Sequence, residues 1–156
     1  MLLGQVARAR ESLCQDRVGG AAVRLARHYS EAGELERALK YLVMAGDAAL
    51  ASYAHEEAED YYRRGLALAP EEPELAHLLR GLGEAVHGLS RFEEAIRAWG
   101  EGIERYRALG DRDSVAHLYA RSAWTAYLAN DPAEALRLCL EGLEQVADAP
   151  ESPGLV

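Results

Sequence analysis

The sequence predicts an all-α protein, an array of about eight antiparallel helices, and three observations carry that expectation. Ala, Leu, Glu and Arg dominate while β-branched residues are few, so intrinsic preference favours helix along nearly the whole chain. Breakers are confined to a few places: Gly19-Gly20, Gly33, Pro70 and Pro73, Gly88, Gly110, Asn130-Asp131-Pro132 and the tail from Pro150 to Gly154. They leave segments of roughly 12 to 18 residues with short connections, the spacing of antiparallel neighbours. Glycine also recurs inside strong helical patterns, at Gly65, Gly102 and Gly142, each seven residues after an alanine. Glycine in a helix interior costs about 1 kcal/mol relative to alanine, so a thrice-repeated fault marks a packing rule.

The first helix, about Leu2 to Gln15, places Leu2, Val6, Ala9 and Leu13 on one stripe. A second runs from Ala21 to Ala32, with Leu25, Ala26 and Tyr29 inward, and ends at Gly33. Leu35 to Ser52 and His55 to Leu68 follow, the latter stopped by Ala69-Pro70. Pro73 suits the first turn of the next helix, Glu74 to His87, where a missing N–H does no harm. Then come Phe92 to Leu109, Ser114 to Leu128 and Pro132 to Val146. Asp113 or Ser114 is expected to cap one start and Asp131 before Pro132 the last. The helices make one domain over residues 1–148, with 149–156 a tail.

At 156 residues and 49% apolar content the chain can bury a core. Seventeen basic against 26 acidic side chains, a formal charge of -9, argue against a general nucleic-acid surface. No stretch has the roughly 18 to 20 apolar residues of a membrane span. Two distant cysteines, Cys14 and Cys139, and an N-terminus interrupted by arginines suit a reduced, cytoplasmic protein.

Aligning the glycines exposes a repeat. The preceding alanines, Ala58, Ala95 and Ala135, are 37 and 40 residues apart. Around each the order is aromatic or apolar at minus three, bulky at plus four, small at plus seven and aliphatic at plus eight, as in Phe92, Ala95, Trp99, Gly102 and Ile103. Leu79, Leu82, Gly83 and Val86 supply a facing stripe. An earlier unit holds Ala38, Leu42 and Ala45, but Ala38 precedes Ala58 by only 20 residues, so the helix from Leu35 must serve two units. The units span about 21–52, 35–70, 74–109 and 114–146.

This pattern resembles the tetratricopeptide repeat (TPR), which implies a TPR-like α-solenoid wound as a right-handed superhelix. The wording from Leu25 to Leu50 and from Tyr53 to Leu66 also resembles the helical region of large bacterial signal-transduction ATPases and LuxR-type regulators. There the repeats act as sensor, inhibitor or assembly arm. No G-x-x-x-x-G-K-[ST] motif is present, so the chain reads as an excised arm or a stand-alone relative.

Chemistry is sparse. His28, His55, His77, His87 and His117 lack H-E-x-x-H spacing and there is no C-x-x-C, so neither a metal site nor a cofactor is expected. Glu56-Glu57 and Glu93-Glu94 open helices, where negative charge offsets the dipole. Tyr62 reads as packing, and Cys139, in the bulky position of the last unit, as buried. No catalytic residue emerges, and an enzyme is not expected.

The resemblance implies that the first helix of each unit lines a concave groove. Its positions carry Arg24, Arg27, Lys40 and Asp47, then His77, Arg80, Glu84 and His87, then His117, Arg121, Trp124 and Tyr127. Arg with Trp and Tyr is a composition favoured at binding hot spots. The carboxylate clamp of chaperone-binding relatives is absent, its places taken by residues including Val23, Met44 and Gly81. The expected function is a non-catalytic scaffold binding a protein or peptide with acidic segments, a regulatory arm in bacterial signalling or transcription. An uncapped end helix would favour a homodimer. The alternative is a small-molecule-sensing domain of a larger regulator, which would need an enclosed apolar pocket.

Overall fold

The computed structural model describes residues 2–68 and 70–147, with side chains from Arg17 onward. The apolar stripe Leu2, Val6, Ala9 and Leu13, the side chain of Cys14 and the tail 149–156 lie outside that description. The described residues form seven helices and no strand: α1 (Leu2–Glu31), α2 (Leu35–Ala51), α3 (His55–Ala67), α4 (Glu74–Gly88), α5 (Phe92–Ala108), α6 (Arg112–Leu128) and α7 (Pro132–Ala147). Seven rather than eight is a correction. The segments read as two helices, 2–15 and 21–32, are one continuous α1, and Gly19-Gly20 lie within it. Each glycine forgoes about 1 kcal/mol of helix preference. Packing against α2 offsets that loss: Ala22 and Ala26 are buried, and Gly19 brings its backbone close to the Ala48 methyl.

Consecutive helices stack in a solenoid-like manner, each packed on its chain neighbours, with α2 also touching α4. Five of the six turns use one device. A residue with positive φ (Gly33, Tyr53, Ser90, Gly110 or Asn130) follows the helix. The next N–H reaches back to a carbonyl five residues earlier: Glu34 to Tyr29, Ala54 to Ala49, Arg91 to Val86, Asp111 to Tyr106 and Asp131 to Ala126, all at 2.9–3.0 Å. This Schellman geometry satisfies an orphaned end carbonyl and reverses the chain at once. Asp131 caps α7 as expected, accepting from the Glu134 N–H at 3.0 Å. The cap of α6 is Asp111, not Asp113 or Ser114; it accepts from the Ser114 N–H at 3.0 Å, and its other oxygen accepts from the Ser114 hydroxyl at 2.7 Å.

The core is built from the small and bulky positions of the sequence pattern. Ala38, Ala58 and Ala95 are fully buried, as are the rings of Tyr62 and Trp99. Gly65, Gly102 and Gly142 are buried where a Cβ would meet Leu78 Cδ2 at 2.8 Å, Leu118 Cδ1 at 3.3 Å and Tyr119 Cβ at 2.8 Å. Closer approaches occur on the partner helices. A Cβ at Gly46 or Gly81 would lie 2.6 or 2.4 Å from the Tyr62 ring, and one at Gly83 only 2.2 Å from the Trp99 indole nitrogen. Tyr62 therefore seats its ring between α2 and α4 on bare backbone, and Trp99 does so on α4. Tyr29, expected inward, is half-buried and stacks on Tyr41 with centroids 5.6 Å apart; Leu25 is exposed.

The third unit departs from the other two. Cys139 holds the place of Tyr62 and Trp99, yet it is exposed, which corrects the expectation of burial. Leu136, Leu140 and Leu143 are exposed beside it. The reason is positional: α3 is followed by α4 and α5 by α6, whereas no described helix follows α7.

Candidate functional site

The solenoid brings alternate helices onto one face. Asp47 and Leu50 of α2, His77, Arg80, Gly81 and Glu84 of α4, and His117 of α6 line a cavity of about 260 Å³ whose floor includes Tyr62. On α4 the polar members recur at spacings of three and four, the period that keeps them on one helical stripe.

A hydrogen-bonded chain crosses the cavity. Asp47 accepts from the Tyr62 hydroxyl at 2.7 Å and from His77 Nε2 at 2.9 Å. A carboxylate facing Nε2 favours a proton on that nitrogen. Arg80 Nη2 lies 3.5 Å from His77 Nδ1, at the outer limit of a hydrogen bond. Burial works against the charge on Asp47, but the hydrogen bonds from His77 and Tyr62 outweigh it and hold the carboxyl below its ordinary value. Burial together with the neighbouring Asp47 charge drives the Tyr62 phenol well above its ordinary range, so it stays a donor.

The two central arginines have different company. Arg121 donates from Nε to Glu84 at 3.1 Å and from Nη2 to the other oxygen, a two-pronged pair, and its guanidinium lies 5.1 Å above the Trp99 ring. Arg80 is half-buried, and among the described residues no carboxylate lies within ion-pair distance of it. Its backbone carbonyl accepts from the Trp99 indole N–H at 3.2 Å, which anchors this turn of α4 to α5.

The other sequence candidates are spread more widely. Arg24 and Arg27 are exposed on α1, and Arg27 pairs with Glu31 at 2.9 Å. Lys40 lines a different, larger cavity. His87 packs between Phe92 and Trp99 with centroids 5.5 and 5.7 Å away, and burial, then the charge of Arg121, lowers its pKa. That is the environment of a neutral packing histidine. Trp124 and Tyr127 are 55% and 61% exposed on α6 and stack on each other at 5.7 Å, outside the cavity that holds Arg80. Sequence reasoning missed the tie between Tyr62 and Asp47. The signal available was that a buried tyrosine hydroxyl needs a partner. Among the described residues no group of three or more His, Cys, Asp or Glu is placed to hold a metal ion. No described helix is long and apolar enough to cross a membrane.

No family model matches the chain, and no curated protein is significantly similar to it. Its fold is similar to the crystal structure of BtubC (BKLC) from P. vanneervenii, with a TM-score of 0.59 at 19% identity over 88% of this chain. The match covers 56% of BtubC, so the chain spans little more than half its length. At that identity the likeness concerns the helical fold alone.

Proposed function

We propose that the chain is a TPR-like right-handed superhelix serving as a non-catalytic interaction scaffold, and that the face shared by α2, α4 and α6 takes an acidic segment of a protein or peptide. The observation that carries this reading is Arg80: a half-buried cation in a cavity, beside His77 and with no described carboxylate within ion-pair distance, although its charge acts on the more distant Asp47. A buried guanidinium gains most from a carboxylate that reaches it in a partly desolvated site. Glu84 already engages Arg121, so Arg121 stiffens the wall while Arg80 receives the ligand. The cavity, about 260 Å³, falls below the roughly 300–1,000 Å³ of small-molecule sites, which favours an inserted side chain over a whole metabolite. By resemblance the setting is a cytoplasmic regulatory arm in bacterial signalling or transcription.

The test is calorimetric titration with a synthetic ten-residue peptide of Asp, Glu and Leu. Arg80→Glu is expected to weaken binding at least tenfold, about 1.4 kcal/mol. Arg97→Glu, an equal charge change at an exposed position of α5, should leave the affinity within twofold. Equal affinities for wild type and Arg80→Glu would reject the assignment.

A further inference from the structure

A second cavity is the one that Lys40 lines. Leu35, Leu39, Val43 and Met44 of α2 form an apolar wall, and Leu68 and Pro70 of the α3–α4 connection face it across about 690 Å³. Leu35 is 50% and Met44 38% exposed, so the wall stands open to solvent. Its described lining carries Glu36, Glu71, Glu72 and Glu74 against Lys40, with Arg105 3.7 Å from Glu72. Compensation of helix dipoles accounts for acids near the starts of α2 and α4, and for none of the apolar wall between them.

Glu72 adds an independent observation. One of its oxygens lies 3.7 Å from Arg105, while the other is buried and has no hydrogen-bond partner among the described residues. A buried acceptor without a donor is costly, and a turn of the Glu72 side chain toward a ligand N–H or ammonium would relieve that cost.

We propose that this groove docks a basic amphipathic helix, with apolar residues of the ligand against Leu39, Val43 and Met44 and its Lys or Arg side chains among Glu71, Glu72 and Glu74. The volume has room for the two or three apolar anchors that one face of a short helix presents. An apolar floor supplies attachment and a rim of one sign selects the partner. The inference is independent of the Arg80 reading, which concerns another cavity and a ligand of opposite charge. Together the two sites would let one chain bridge a basic and an acidic segment.

The probe is a fluorescein-labelled 16-residue helix of Leu and Lys, followed by fluorescence anisotropy. Glu71→Lys/Glu74→Lys and, separately, Leu35→Ser/Met44→Ser are each expected to weaken its binding at least tenfold. All four positions are exposed, so the core is left intact. Glu101→Lys/Glu144→Lys, the same charge change at exposed positions on α5 and α7, should shift it by less than twofold. An equal loss in that control pair would overturn the site in favour of whole-molecule charge attraction. Equal binding of the Leu and Glu version of the peptide would overturn the selection by charge. Unchanged binding in either site variant would overturn the docking itself.

Discussion

Trp99→Ala is expected to lower the unfolding free energy by about 3–5 kcal/mol, the range for removing a buried aromatic side chain. The indole is fully buried, and three helices meet on it. It stems from α5, its ring lies on the bare backbone of Gly83 in α4, and the Arg121 guanidinium of α6 covers its face. Alanine would empty this volume and leave the Arg80 carbonyl without the indole donor that now reaches it at 3.2 Å. Both losses fall at the junction of α4, α5 and α6, where collapse of the cavity would require whole helices to shift. Urea denaturation of wild type and variant, with comparable m-values, measures the difference. A cost below about 1 kcal/mol would mean that the tryptophan is peripheral.

Gly83→Ala is expected to destabilise by about 1–3 kcal/mol through overpacking, although alanine is the better helix former by about 1 kcal/mol. The added methyl carbon would stand 2.2 Å from Trp99 Nε1 and 2.3 Å from Cδ1. The ring has no free end to swing aside. Gly100→Ala is the matched control: nothing lies within 4 Å of a Cβ there, so the same substitution should stabilise by up to about 1 kcal/mol. If both substitutions raised the urea midpoint alike, the close seating of Trp99 on α4 would be wrong.

Much of this architecture was legible in local signals. Gly33 and Gly110 adopt the positive φ that glycine tolerates, and Asn130-Asp131-Pro132 supplies in three residues a left-handed stop, a cap and a helix start. Gly19-Gly20 misled because two local penalties were read as a break, whereas burial of Ala22 and Ala26 along α2 settles the helix. Glycine periodicity located Gly65, Gly102 and Gly142, but closer helix contacts lie at Gly46, Gly81 and Gly83. Those follow no regular spacing, because each matches the place where an aromatic ring from another helix happens to land. The site shows the same division. His77, Arg80 and Glu84 share a helical stripe that spacing alone reveals. That Glu84 engages Arg121 and leaves Arg80 to its histidine depends on packing between residues 37 positions apart, which spacing does not encode.

The central claim is that the face of α2, α4 and α6 receives the partner. The most direct measurement is the set of backbone amide shift changes as the acidic Asp, Glu and Leu peptide is titrated into the ¹⁵N-labelled protein. The account predicts that the largest changes cluster at Asp47, His77, Arg80, Gly81 and His117, with α5 and α7 little affected. Changes concentrated instead on the outer faces of α3, α5 and α7, with the Arg80 amide unmoved at saturation, would contradict it.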